Sequence, residues 1–246
     1  MSTIFDRNRF MLKSVLLPIA VMTLAAAPAA RASSVVIWPV DPTISENQKA
    51  TAIWIENKGK ERVTLQVRAF SWSQSAGENV LSQQADLVAS PPMAEVEPGG
   101  RQLVRLVRRA EASDTPEAAY RLLIDELPAA PATDAETLQA QLRVQMRYSI
   151  PLFVYGSKQE NVSPQLEARI VAAPSGPMLS IRNSGSRHAR LSDLRGLSGG
   201  KEALIKSGLA GYVLPGSSIQ IPLPPGSFDQ FQVNVNGSNQ TLAFQA

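Results

Sequence analysis

Leu138 to Gly156 reads LQAQLRVQMRYSIPLFVYG. Leu142, Val144, Met146, Tyr148, Ile150 and Leu152 alternate with Gln141, Arg143, Gln145, Arg147, Ser149 and Pro151. Strict alternation predicts a β-strand with one apolar face. No glycine or Asn-Gly interrupts it to turn the chain back, and a dozen residues is about twice the usual strand length. An unbroken ribbon of this kind has to find cover for its apolar face, within the chain or outside it.

The rest of the chain has the same texture in shorter pieces. Lys49–Gly59 (KATAIWIENKG) alternates and ends in the turn signal Asn57-Lys58-Gly59, and Arg62–Trp72 (RVTLQVRAFSW) sets Val63, Leu65, Val67 and Ala69 against polar partners. A proline-punctuated corner, SPPMAEVEPGG, precedes RQLVRLVRR (Arg101–Arg109), and AAYRLLIDELP (Ala118–Pro128) leads through AAPATDAET to the opening stretch. Gly156–Pro164 (GSKQENVSP) has the composition of a linker. Beyond it come LEARIVA, PMLSIRNSG, ARLSDLRGL, ALIKSGLAGYVLPG, SIQIPLPPG, FQVNVNG and QTLAFQA. These runs are rich in Val, Ile, Leu and Phe and are bounded by Gly, Pro, Asn and Ser. About seven strands per half, with no strong helical window, predict an all-β chain of two tandem immunoglobulin-like β-sandwiches.

The N-terminus reads separately. Arg7, Arg9 and Lys13 precede the apolar run Val15–Ala30, and Ala30-Arg31-Ala32 forms an A-x-A site before Ser33. Residues 1–32 therefore read as a cleaved secretory signal peptide, leaving an N-terminal domain at 33–155 and a C-terminal domain at 156–246. Pro18 and Pro28 break the run, which argues against a membrane anchor. Of 24 basic and 21 acidic residues, four basic (Arg7, Arg9, Lys13, Arg31) and one acidic (Asp6) lie in the leader. The remainder carries equal numbers of each, so nucleic-acid binding loses its compositional support. Cysteine is absent, which removes thiol nucleophiles, thiolate metal sites and disulfides together.

The inventory for catalysis is thin. A hydrolase needs a base beside its nucleophile. The one histidine, His188, sits in RNSGSRHARLSD and reads as an ordinary surface or loop residue. No HExxH or phosphate-cradling glycine loop is present, and Gly199-Gly200 reads as a turn between apolar runs. Asp125-Glu126 falls at a strand end, where successive side chains point to opposite faces and solvation is the simpler reading. Trp38, Trp54 and Trp72 lie within strand patterns and read as core rather than as a sugar platform. The expectation is a non-enzyme without metal or cofactor.

Several segments in order resemble one family, the PapD-like periplasmic pilus (fimbrial) chaperones. Ala50–Trp72 resembles the family's opening strand pair with Asn57 at the turn. Ser90–Arg109 resembles its Pro-Pro corner, Pro-Gly turn and following strand, and Ala118–Pro128 the strand before its long loop. LRVQMRYSIPLFVYG resembles its last first-domain strand. MLSIRNSGSRHARLSDL and YVLPGSSIQIPLP resemble the second domain's strand, Asn turn, strand and later Pro-Gly turn. IWPVDP, AIWIEN, LQVRAFSW and YRLLIDE are more similar to the archaic branch.

The resemblance implies two immunoglobulin-like domains in an L or boomerang. It also implies a periplasmic chaperone that caps pilus subunits by donor-strand complementation, a form of β-augmentation, and delivers them to an outer-membrane usher. The donor side chains implied are Leu138, Leu142, Val144, Met146 and Tyr148. The best-known branch binds the subunit's terminal carboxylate with an Arg and a Lys, but this chain has Asp41 and Pro151 at those places. Arg121 and Arg147, on the strands nearest the interdomain cleft, are the substitute candidates, or else strand-face arginines in solvent or paired with Asp125 or Glu126. Pilins and an usher are the implied partners, with neither nucleic acid nor membrane insertion; self-association of the free form through its exposed edge is a further expectation. The rival reading is a structural subunit or adhesin of a surface pilus, disfavoured because Ser33 leads almost at once into VVIWPV without a free alternating arm.

Overall fold

The structure, a computed structural model, describes residues 35–109, 115–128, 145–157 and 163–245. The leader 1–32, Leu138, Leu142, Val144 and most of the segment read as a linker therefore lie outside the described residues.

The first half contains β1 (Val35–Trp38), β2 (Thr43–Ile44), β3 (Ala50–Asn57), β4 (Val63–Ser75), β5 (Glu78–Ser82), β6 (Leu87–Ser90), β7 (Met93–Val96), β8 (Arg101–Arg108), β9 (Glu117–Leu127) and β10 (Arg147–Tyr155). The second contains β11 (Leu166–Ala173), β12 (Gly176–Asn183), β13 (Ala189–Ser198), β14 (Lys201–Val213), β15 (Ser218–Pro222), β16 (Gln230–Val235) and β17 (Ser238–Gln245). No helix occurs among the described residues.

One sheet of the first half runs β1-β3-β8-β6 and faces a second running β2-β10-β9-β4-β5, with β7 also on β4. The period-two pattern fixes which side chains fill the space between them. Ile53 and Ile55, Leu65 and Val67, Val104 and Leu106, Leu122 and Ile124, and Ile150, Leu152 and Val154 are all buried in one cluster. The second half orders its strands β14-β13-β16-β17-β11-β12-β15 around Leu179, Ile181, Leu191, Phe231 and Val233. There β17 changes partner along its length, from β16 at Ser238–Leu242 to β11 at Ala243–Gln245.

Both halves close one corner in the same way. Asn57 ends β3 and is fully buried; its Nδ2 donates to the carbonyls of Glu61 and Val96 (2.7 and 2.9 Å) and its Oδ1 accepts from Gly59 N–H. Asn183 ends β12 and is also fully buried; Nδ2 donates to Arg187 and Val213 (2.7 and 3.0 Å), and Oδ1 accepts from Gly185 and Gln165 N–H. Each asparagine backbone also brackets a Pro-Gly turn, at Glu97–Gly100 and Leu214–Ser217. Gly99 and Gly216 have φ of 71° and 72°, the third turn position where a Cβ is strained.

Candidate functional site

The outer face of the first half's larger sheet carries the side chains that the core does not take. On β9 these are Ala119, Arg121, Leu123 and Asp125; on β10, Arg147, Ser149, Pro151 and Phe153; on β4, Arg68, Phe70 and Trp72. Arg121 lies opposite Pro151 on one side and Phe70 on the other, whereas Arg147 lies opposite Asp125. The two candidate arginines thus share a face four residues apart, about 13 Å at the rise of a strand.

Their surroundings differ. Arg147 is mostly exposed and pairs with Asp125, which also takes Arg68 Nη2 at 2.6 Å. Burial raises the Asp125 carboxyl, but the hydrogen bonds from Arg147 and Arg68 outweigh it and hold the group below its ordinary value. Asp125 is thus not a solvated strand end, as its position in the sequence implied; its side chain is only 14% exposed because three strands converge on it. A carboxyl depressed in the folded chain adds stability that is full above about pH 4, the unfolded value, and is lost as pH falls through the folded value. Asp125→Asn is expected to cost about 1 kcal/mol at neutral pH, the level of partly exposed pairs. The native and variant stabilities should converge in chemical unfolding below pH 4, and parallel curves would refute the pairing.

Arg121 is half-buried and rests on rings instead. Its guanidinium carbon is 3.8 Å from the Trp72 ring centroid and 5.3 Å from that of Tyr212. Burial lowers its affinity for its proton, though arginine stays charged. Among the described residues no carboxylate pairs with it.

The rings belong to a cluster in which Trp72 and Phe153 of the first half meet Tyr212 and Leu214 of the second. Trp72 Nε1 donates to Asn79 Oδ1 (2.8 Å), fixing the indole. Gln74 Nε2 donates to the Tyr212 carbonyl (2.8 Å), and its Oε1 accepts from Leu214 N–H (2.9 Å). Next to it, His188 stacks on Phe153 with 3.5 Å between ring centroids. Its Nδ1 is 2.8 Å from Glu117 Oε2, and its backbone N–H donates to Glu117 Oε1 at 3.0 Å. Arg187 lies 4.0 Å over the Tyr155 ring. The sole histidine is therefore not an ordinary surface or loop residue but part of the joint, and only 14% of its side chain is exposed.

Tryptophan also needs correction. Trp72 is buried, yet in the joint rather than in a sandwich core. Trp38 and Trp54 stack on each other across β1 and β3 on an outer face, with Trp54 40% exposed. An outer-face residue can keep a strand's period while contributing nothing to the core, so the pattern could not separate the two cases.

The rim of β10 is the remaining feature. β2 pairs with it only at Phe153 and Val154, while β9 covers its other side from Arg147 to Tyr155. From Arg147 to Leu152 no strand among the described residues lies on the outer side. Met146 is 41% exposed. Tyr148, grouped with the donor side chains in the sequence, packs against the chain's own core and hydrogen-bonds the backbone of Val35. It stands in register with Ile150, so the sandwich claims it first.

Tyr212, Gln74 and Glu117 have no motif in the sequence that marks them. Each acts through a partner in the other half, more than 70 residues away.

Residues 34–158 match the family model described as pili and flagellar-assembly chaperone, PapD N-terminal domain. A curated relative, the uncharacterized fimbrial chaperone YbgP of Escherichia coli (strain K12), is 29% identical over 143 residues, 56% of this chain and 55% of that one. The chain thus spans just over half the length of the curated relative it matches. Among solved structures, a chain from the CsuC–CsuE chaperone–tip adhesion subunit pre-assembly complex of archaic chaperone-usher Csu pili of Acinetobacter baumannii matches at TM-score 0.71. It is 29% identical, with 87% of this chain and all of that one covered. A chain of the Salmonella enterica SafA pilin–SafB chaperone complex matches at TM-score 0.60, with 87% of this chain and 97% of that one covered; at 18% identity it speaks for the fold alone. A two-sandwich fold of this kind and a family model covering half the chain lead to one conclusion: the chain belongs to the pili and flagellar-assembly chaperones.

Proposed function

We propose that the chain is a periplasmic chaperone that lends the ribbon leading into β10 to unfinished pilus subunits and hands them to an outer-membrane usher. The observation that carries this reading is that, among the described residues, no strand lies along the outer rim of β10 between Arg147 and Leu152. Unpaired strand edges invite pairing and ordinary proteins suppress them; here the invitation is the function. Backbone groups on the rim supply generic affinity, and alternate side chains fill the pockets of the guest. The donor set is Leu138, Leu142, Val144 and Met146, on the same parity as the core residues Ile150 and Leu152. One ribbon thus serves its own sandwich at one end and a guest at the other.

Arg121 is the proposed anchor for the subunit's terminal carboxylate. A stacked guanidinium keeps its in-plane N–H edge free for a bidentate contact, and among the described residues Arg121 has no carboxylate partner to displace. Arg147 must first release Asp125, so its proposed part is secondary. A fixed carboxylate sets register, and a one-residue slip would turn Arg143, Gln145 and Arg147 into the groove.

Burial of each Val, Leu or Met contributes about 1.5–3 kcal/mol. Leu142→Asp combined with Val144→Asp is therefore expected to weaken a co-expressed pilin's complex by about a hundredfold or more. Arg143→Ala, on the opposite face, should change it little. Co-purification and titration check this, with circular dichroism to show that the chaperone remains folded. Undiminished complex in the double variant would refute the donor role.

A further inference from the structure

We infer that Tyr212, in the second half of the molecule, is a positioning residue for carboxylate recognition by Arg121 in the first. This inference rests on the anchor reading of Arg121 given above. An arginine in a strand face has many rotamers, and a free one spreads its charge over all of them. Here two ring faces meet the guanidinium, Trp72 at 3.8 Å and Tyr212 at 5.3 Å, and the rings themselves stand edge-to-face at 78° with centroids 5.6 Å apart. A cation held against ring faces is attracted by their negative quadrupoles, and its N–H donors remain directed into the ring-free plane.

Neither ring is free to move. Asn79 holds the Trp72 indole, Gln74 holds the backbone at the Tyr212 carbonyl and the Leu214 N–H, and the Tyr212 ring packs against Trp72 and Phe153. Arg121 and Trp72 belong to neighbouring strands of one sheet, but Tyr212 reaches them only because the second half docks there. The binding geometry of the first half is thus completed by the second. A carboxylate arriving at Arg121 meets a guanidinium whose plane is already set, and its affinity is reduced less by ordering the side chain.

The test uses the full mature chain and a short synthetic peptide of alternating valine and threonine, made with a free C-terminal carboxylate and as its C-terminal amide. The native chain is expected to prefer the carboxylate by about tenfold or more, and Arg121→Ala to abolish that preference. Tyr212→Phe, which keeps the ring, should retain the preference; Tyr212→Leu should reduce it at least threefold while affinity for the amide stays unchanged. Full preference in Tyr212→Leu would overturn the positioning role and leave the anchor standing. Absence of any preference in the native chain would instead overturn the anchor itself, and the positioning role with it. A second measurement needs no destabilised variant. The Arg121 Nε–Hε resonance of the native chain and of Tyr212→Phe should be displaced by ring currents, and a random-coil position would refute the stacked geometry.

Discussion

Asn183→Ala is expected to cost about 3–5 kcal/mol of stability, enough to unfold much of a marginal domain. The side chain makes four hydrogen bonds, donating to the carbonyls of Arg187 and Val213 and accepting from the N–H groups of Gln165 and Gly185. Each net bond contributes about 1 kcal/mol, and a buried backbone group left without a partner costs about 1–3 kcal/mol more. Asn57→Ala removes three such bonds, to Glu61, Val96 and Gly59, and should cost slightly less. Aspartate is no remedy, because a carboxylate would face two carbonyls that need a donor. Urea unfolding of both variants checks this, and a loss below about 1 kcal/mol at Asn183 would refute the account. Gly185 belongs to the same corner: a Cβ there would lie 2.2 Å from the Ser163 carbonyl oxygen, and backbone cannot yield as a flexible side chain does.

Glu117→Ala should produce the second large effect, at the joint rather than in a core. The carboxylate is 1% exposed and receives both the backbone N–H of His188 and its ring nitrogen. Truncation strands these groups and leaves a void beside His188, for an expected loss of about 3 kcal/mol. The two halves should then sample a wider range of orientations, broadening the solution scattering profile. Glu117→Gln keeps one acceptor and should fall between native and alanine. A native-like scattering profile and unchanged melting in Glu117→Ala would show that the contact holds nothing together.

The sandwich cores were legible because burial on one face forces a two-residue period, and Leu65, Val67, Leu122, Ile124, Ile150 and Leu152 obey it. The corner asparagines were legible for a related reason, since Asn-x-Gly and Pro-Gly are turn chemistry that few other residues supply. The joint was not legible. His188, Tyr212 and Gln74 occupy outer-face or loop positions whose pattern is that of solvent exposure, and only docking of distant strands buries them. The same blindness put Trp38 and Trp54 in a core that they do not enter. Arg121 and Arg147 looked equivalent in sequence, both strand-face cations near a cleft. Register separates them, since Asp125 stands opposite Arg147 and Pro151 opposite Arg121.

The amide of Gln74 has a consequence for how the two halves are indexed. It offers a donor to Tyr212 and an acceptor to Leu214, the same pair of groups that a peptide unit would present to a neighbouring strand. Consecutive residues of an extended chain direct these groups to opposite sides. A slide by one residue would therefore present Gln74 with nothing to bind, and the halves meet in discrete notches rather than along a continuous slope.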